Sequence, residues 1–166
     1  MVSRFSFTNF YEFFQILTGV LKMFLDAQNL FSDAQAITAD ATSTNVIDLG
    51  VGRNLGDGEP MAVVVCVDVA ADGTTTDETY EFEVHTDDNA ALSSSTEIAA
   101  KVVGYALLTA GAMVVIPIPP GVALERYLGV KYDVGGTTPT ITVTTALMPL
   151  SMVQKYKSYP KGYVIS

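Results

Sequence analysis

An alternation of apolar and polar residues with a period of two, running from residue 44 to residue 148, constrains the fold of this chain more than any other feature. In the segment E-T-Y-E-F-E-V-H, Tyr80, Phe82 and Val84 fall on one face of a strand. Glu81 and Glu83 fall on the opposite face. Successive side chains of a β-strand point to opposite faces, so the pattern is typical of strands with one buried face.

Seven or eight such strands are predicted, near residues 46–49, 63–69, 78–85, 97–103, 113–118, 128–134 and 141–147. Turn sequences such as Asp72-Gly73 and Gly135-Gly136 separate them. No long helical pattern lies between them to carry parallel crossovers, so the strands are expected to be antiparallel. The predicted fold class is all-β, an antiparallel β-sandwich of the jelly-roll type. It is assigned to residues 26–150, with residues 44–148 as its rigid body.

The first 25 residues form an apolar N-terminal extension that is predicted to be helical. Polar residues recur in it every three or four positions, and the remaining face is apolar. Glu12 and Lys22 interrupt the apolar run too early for a membrane span, and no small-residue cleavage site follows, so no membrane contact is expected. The apolar face needs burial on the body of the protein, on a sister subunit or on a larger partner. The alternative is that the chain truly starts at Met23.

The segment from Val84 to Thr96, V-H-T-D-D-N-A-A-L-S-S-S-T, resembles a metal or acid–base site at first sight. It lies between two predicted strands, where Asp, Asn and Ser favour turns because their side chains bond to nearby backbone groups. The EF-hand spacing is absent, and a zinc site would need more than the one histidine of the chain. We therefore predict a turn, in which Asp87 and Asp88 are interchangeable with asparagine.

No other motif indicates an enzyme or a cofactor. No Gly-x-Ser-x-Gly elbow accompanies the lone histidine, and the glycines of residues 50–58 miss the dinucleotide-binding spacing. Cys66 is the one cysteine and lies within a valine run, where a small buried thiol is expected. No catalytic, cofactor-binding or metal-binding residue is predicted.

The charge of the chain is unevenly distributed. The net charge of −9 argues against binding to nucleic acid, whose phosphates need a basic surface. Residues 151–166, by contrast, contain three lysines and three tyrosines and no acidic residue, which suits an arm that crosses an acidic neighbour. The alternative is a frayed, solvated terminus. Both ends are predicted to be attachment arms, and the candidate partner-binding residues are Phe10, Phe13, Phe14, Leu17, Leu21, Lys155, Tyr156, Lys157, Tyr159, Lys161 and Tyr163.

Several blocks follow in an order that resembles a known family. These blocks are LDAQNLFSDAQAIT (25–38), TNVIDLG (44–50), GEPMAVVV (58–65), HTDDNAALSS (85–94), PIPPG (117–121) and RYLGVKYDVGG (126–136). They resemble the jelly-roll capsid cement, or decoration, proteins of short-tailed bacteriophages such as the Bordetella phage type. The resemblance covers roughly residues 23–148, so residues 1–22 and the basic tail lie beyond it.

The resemblance implies a non-enzymatic protein of the virion, made in the host cytoplasm and bound to the outer capsid surface. Its partner would be the major capsid protein, whose neighbouring subunits it would clamp. A homodimer is expected, with a trimer as the alternative. A second hypothesis is a carbohydrate- or receptor-binding jelly roll on the virion surface. The chain has no tryptophan, and its tyrosines fall in strands or in the tail, which disfavours a sugar platform.

Overall fold

The computed structural model describes residues 27–55 and 58–156. The strands are β1 (Leu30–Ile37), β2 (Ala41–Thr42), β3 (Ile47–Asp48), β4 (Met61–Val69), β5 (Thr79–Asp87), β6 (Thr96–Gly104), β7 (Met113–Pro117), β8 (Tyr127–Gly135) and β9 (Ile141–Pro149). Helix α1 (Leu150–Tyr156) follows β9, and short 3-10 turns lie at Ala27–Asn29 and Tyr105–Leu107. Within the described ranges, no helix is both long and apolar enough to cross a lipid bilayer.

The strands form two antiparallel sheets. Sheet I has the order β1-β9-β4-β7. Sheet II has the order β2-β8-β5-β6, and β3 also pairs with β8, so β2 and β3 share one edge position. Most connections cross between the sheets, whereas β2–β3 and β5–β6 stay within sheet II, and the last two strands insert beside β1 and β2. This strand order is that of a jelly roll, and the predicted fold class is confirmed.

The inner faces of both sheets form the core. The alternation predicts it correctly: Tyr80, Phe82 and Val84 are buried, and they oppose Val134, Tyr132 and Val130 of β8. Phe82 and Tyr132 pack edge to face, with ring centroids 6.1 Å apart. The hydroxyl of Tyr132 lies 2.7 Å from Ser32 Oγ and 2.9 Å from Thr145 Oγ1. It thereby joins sheet II to two strands of sheet I, and burial raises the pKa of this phenol.

The rigid body extends further at both ends than residues 44–148. Strand β1 was missed because its alternation is broken: the register against β9 shifts twice, and Ala34 has a positive φ of 46°. Phe31 of β1 is nevertheless fully buried. At the other end, α1 packs against β4 and β9, and Val153 is 2% exposed. The first residues of the predicted C-terminal arm therefore pack against the body. The predicted N-terminal helix, residues 1–25, lies outside the described residues.

Candidate functional site

The segment that resembled a metal site is a loop that folds back over sheet II. Strand β5 ends at Asp87 and β6 begins at Thr96, so the predicted turn lies where it was expected. Leu92, near its centre, has a φ of 51° and is 2% exposed. A leucine in the left-handed region is uncommon, and its burial offsets the backbone cost. The loop therefore covers one end of the outer face of sheet II.

Asp87 and Asp88 lie in different environments, which the sequence prediction did not distinguish. Asp87 is 1% exposed, whereas Asp88 is exposed. The backbone N–H of Ser94 donates to Asp87 Oδ2 at 2.9 Å, and that of Asn89 donates to Oδ1 at 3.1 Å. Desolvation acts to raise the pKa of Asp87, but these backbone donors outweigh it and hold the pKa below its ordinary value. Asp87 thus fixes the path of the loop.

Three carboxyl groups meet at this end of the molecule. One oxygen from each of Asp87, Asp88 and Glu125 lies within 4.8 Å of the other two. Carboxylate oxygens are the ligands that Ca²⁺ prefers, although it usually takes six to eight oxygens. Asp87 already accepts two backbone N–H groups. These contacts show that Asp87 stabilises the loop. The three carboxyl groups together would supply only part of the six to eight oxygen ligands that a calcium ion usually takes.

His85 is held by a hydrogen-bonded chain that the sequence analysis did not anticipate. Its Nε2 lies 2.8 Å from Glu83 Oε2, and its Nδ1 lies 3.0 Å from Ser95 Oγ. A hydrolase triad also joins a serine, a histidine and a carboxylate, but there Nε2 faces the serine and Nδ1 faces the carboxylate, whereas in His85 the two nitrogens are exchanged. The contact between Glu83 and His85 had a signal in the sequence, because residues two apart on one strand lie on the same face. His85 is 7% exposed under the loop. Its Nδ1 contact with Ser95 ties the loop to β5, whereas its Nε2 contact with Glu83 lies within β5.

The outer face of sheet II is acidic beyond this loop. Glu81 of β5 lies directly opposite Asp133 of β8, and Glu83 lies opposite Lys131. A shallow cleft of about 350 Å³ opens beside them, lined by Asp40, Ala41, Thr42, Glu83, Lys131, Tyr132 and Asp133. Like charges directly opposite on neighbouring strands destabilise a sheet. The outward positions of Glu81 and Glu83 follow from the sequence, but their position opposite β8 depends on a pairing that the sequence does not reveal.

The tyrosines whose side chains the structure describes each contact the rest of the body. Tyr80 and Tyr132 are buried in the core. The ring of Tyr105 lies so close to Gly73 that a β-carbon there would be 2.1 Å from it, and Arg126 stacks over Tyr127 at 5.0 Å. The carbohydrate-binding alternative stays a prediction.

The candidate partner-binding residues lie largely beyond the described ranges. Residues 10–21 and 157–163, which contain most of them, are outside these ranges. Lys155 and Tyr156 belong to the last turn of α1, and their side chains are likewise not described. Their contact with a partner stays a prediction.

Comparison with known proteins identifies the family. The model of the Bbp16 family matches residues 31–147, which is more than half of the chain. No curated protein matches the chain. The matched range runs from β1 into β9 and so includes the strands of both sheets. The chain therefore belongs to the Bbp16 family, a family of Bordetella phage proteins.

Proposed function

We propose that this protein is a non-enzymatic capsid cement protein. It binds the outer surface of a phage head and clamps neighbouring subunits of the major capsid protein. Membership of a phage protein family supports this proposal. The packing of the sandwich also supports it, because apolar side chains fill the space between the sheets and leave the outer surfaces for recognition.

The acidic outer face of sheet II carries the proposal. Glu81 of β5 and Asp133 of β8 face each other on neighbouring strands. Asp40, which directly precedes β2, lies beside β8, where its Oδ1 accepts the N–H of Val134 at 3.0 Å. Glu83, by contrast, is paired with His85 at 2.8 Å. A basic surface on a capsid subunit would relieve the repulsion between Glu81 and Asp133, and charge complementarity of this kind sets register and partner choice.

The subunits are proposed to self-associate as dimers at two-fold or quasi-two-fold positions. Strand β6 supports this proposal, because it is an edge strand of nine residues and is largely exposed. Long exposed edges favour pairing with another chain. Light scattering at micromolar concentration should show a dimer. A trimer would change the stoichiometry, and a monomer would contradict self-association.

Binding to heads assembled without this protein tests the function directly. The purified protein should sediment with such heads at a fixed ratio to the major capsid protein and should raise the temperature at which they rupture, because a ligand that binds only the closed shell stabilises it. A protein that stays in the supernatant, or that binds without changing the rupture temperature, would refute the cement role.

A charge variant with a matched control tests the surface. Glu81→Gln should weaken binding to heads while leaving the protein at least as stable as before, because it removes one member of a repelling pair. Asp33→Asn removes one exposed charge from β1 of sheet I and should leave binding unchanged. Equal effects of the two substitutions would show that the acidic face is not the contact.

A further inference from the structure

Part of the outer face of sheet I, away from the hydrogen-bonded pair Asp68 and Thr144, is apolar where a sandwich is ordinarily polar. The outward residues of β4, next to its inward valines, include Ala62, Val64 and Cys66. Their neighbours in register on β7 are Pro117, Val115 and Met113. On the other side of β4, Met148 lies opposite Ala62, and Ala146 lies opposite Val64. On sheet II, the outward positions of β5 and β8 carry acids and a lysine, whereas the edge strand β6 has Val102 and Ala100 there.

Helix α1 covers the middle of this face. Val153 packs with Val64 and Met148, and these three side chains are buried. The cover does not extend to the β7 side: Cys66 and Val115 are only partly buried, and Met113 is 37% exposed. An apolar strip beside an exposed helix is costly in water and marks a surface that another segment covers.

The path of the chain favours its own N-terminal segment as the occupant. The turn Ala27–Asn29 packs against β9 of sheet I, and Leu30, the next residue, lies opposite Ala146 in register. Residues 1–26 therefore precede a point at the β1 edge of this same sheet. Three strand spacings separate β1 from β7, about 15 Å. Sixteen residues, 10–25, span about 24 Å as a helix, so the segment is long enough to cross the face.

The composition of that segment matches the surface. Its apolar residues recur at helical spacing, namely Phe10, Phe13, Phe14, Leu17, Leu21, Phe24 and Leu25. A helix with such a stripe buries it against an apolar face. We propose that the apolar stripe of residues 10–25 packs across the outer face of sheet I beside α1. This assigns the segment to the body rather than to a capsid neighbour, and it does not depend on the proposed cement function.

Cys66, the one cysteine of the chain, is a reporter within this face. Phe13→Cys, Leu17→Cys and Leu21→Cys, made one at a time in the full chain, place a second thiol along the stripe. A disulfide needs Cα atoms within about 7 Å. On oxidation of dilute protein, at least one variant should form an intrachain disulfide with Cys66. Gln15→Cys, from the polar stripe, should not.

The outcomes of this cross-linking distinguish the occupants. An intrachain disulfide, found by peptide mapping without reduction, supports the proposal. A disulfide between two chains would make a second copy the occupant and would overturn it. Failure of all three variants to cross-link, with β-sheet circular dichroism intact, would also overturn it.

The reaction rate of the Cys66 thiol in the unmodified chain gives a second readout. Phe13→Asp combined with Leu17→Asp should uncover the face and speed the reaction of Cys66 with a thiol reagent by about tenfold or more, because reactivity follows exposure. Gln15→Asp should leave the rate unchanged. An equal rate in all three proteins would show that the segment does not cover Cys66.

Discussion

The side chain of Leu92 lies against Gly129, and a β-carbon added at Gly129 would stand 2.3 Å from Leu92 Cδ1. Leu92 belongs to the loop between β5 and β6, and Gly129 belongs to β8, so this contact seats the loop on sheet II. Gly129→Ala must therefore displace the buried side chain of Leu92. We expect it to lower the free energy of unfolding by about 1–3 kcal/mol, as overpacking does, in urea titrations followed by circular dichroism.

Gly104→Ala is the matched control, because a β-carbon at Gly104 meets nothing within 4 Å. It should change stability by no more than about 0.5 kcal/mol. In a Leu92→Ala background, Gly129→Ala should cost less than in the wild type, since the clash is gone. Equal costs at residues 104 and 129 would show that the loop does not rest on the glycine.

Asp87 and Asp88 should differ sharply on substitution. Asp87→Asn replaces one of two accepting oxygens by an amide donor, so the N–H of Ser94 or Asn89 loses its partner. We expect a loss of about 1–3 kcal/mol, whereas Asp88→Asn should stay within about 0.5 kcal/mol. Thermal melts of the two single variants measure this, and equal small effects would restore the simple turn interpretation.

Calcium tests the remaining interpretation of the same residues. Millimolar calcium should leave the Tm of the wild-type protein unchanged, because the contacts of Asp87 are already made within the loop. A rise of several degrees that disappears in Asp87→Asn with Asp88→Asn would show that these carboxylates and Glu125 bind a cation.

Most of the strands were predictable because they keep their alternation, as Tyr80, Phe82 and Val84 do in β5. The sheet order was not, because strands such as β5 and β8 are distant in sequence and only their pairing brings Glu81 opposite Asp133. Strand β1 escaped detection because its bulges shift the side chains out of period two. The burial of His85 was not predicted either, because it depends on where the loop between β5 and β6 packs.

The exposed pair of Asp48 and Arg126 should make stability depend on pH in the acid range. Two hydrogen bonds of 2.9 and 2.8 Å join them. The hydrogen bond from Arg126, with a smaller contribution from the N–H of Gly50, lowers the pKa of Asp48 from 3.8 to about 2. A lowered pKa stabilises the fold above the unfolded value, and this contribution is lost as the pH falls through the folded value. The coupling should therefore persist from neutral pH to about 4, decline below that, and be lost as the pH falls through about 2.

A double-mutant cycle with Asp48→Asn and Arg126→Gln, repeated at several pH values, isolates this coupling. The effect should also shrink in high salt, because the pair is half exposed. A coupling that stays constant down to pH 2 would contradict the assignment.

The hydrogen bonds that join Ser95, His85 and Glu83 should stabilise the fold rather than serve catalysis. Ser95→Ala removes one hydrogen bond and should cost about 1 kcal/mol, without changing binding to heads. Hydrolysis of an activated ester by the wild-type protein should equal that of the Ser95→Ala variant. A turnover that depends on both Ser95 and His85 would instead reveal a hydrolase.

The C-terminal residues should separate into a folded part and an attachment part. Truncation after Tyr156 keeps Val153 in contact with Val64 and should leave the Tm unchanged. Truncation after Pro149 removes α1 and should cost at least about 1.5–3 kcal/mol, the value of burying one valine, because it also uncovers Val64 and Met148. Met152→Ala, at a residue 45% exposed, should have little effect beside Val153→Ala.

The lysines of the tail should contribute attraction to the head that salt weakens. Replacing Lys155, Lys157 and Lys161 by glutamine removes three positive charges, each worth about 0.2–1 kcal/mol when exposed, so the affinity should fall several-fold or more at low ionic strength. The difference should shrink toward 1 M salt, where the Debye length is about 3 Å. Replacing the same residues by arginine retains the charges and should retain the affinity. If the glutamine and arginine variants bind equally at low salt, the tail is not an attachment arm, and the body of the jelly roll makes the contact.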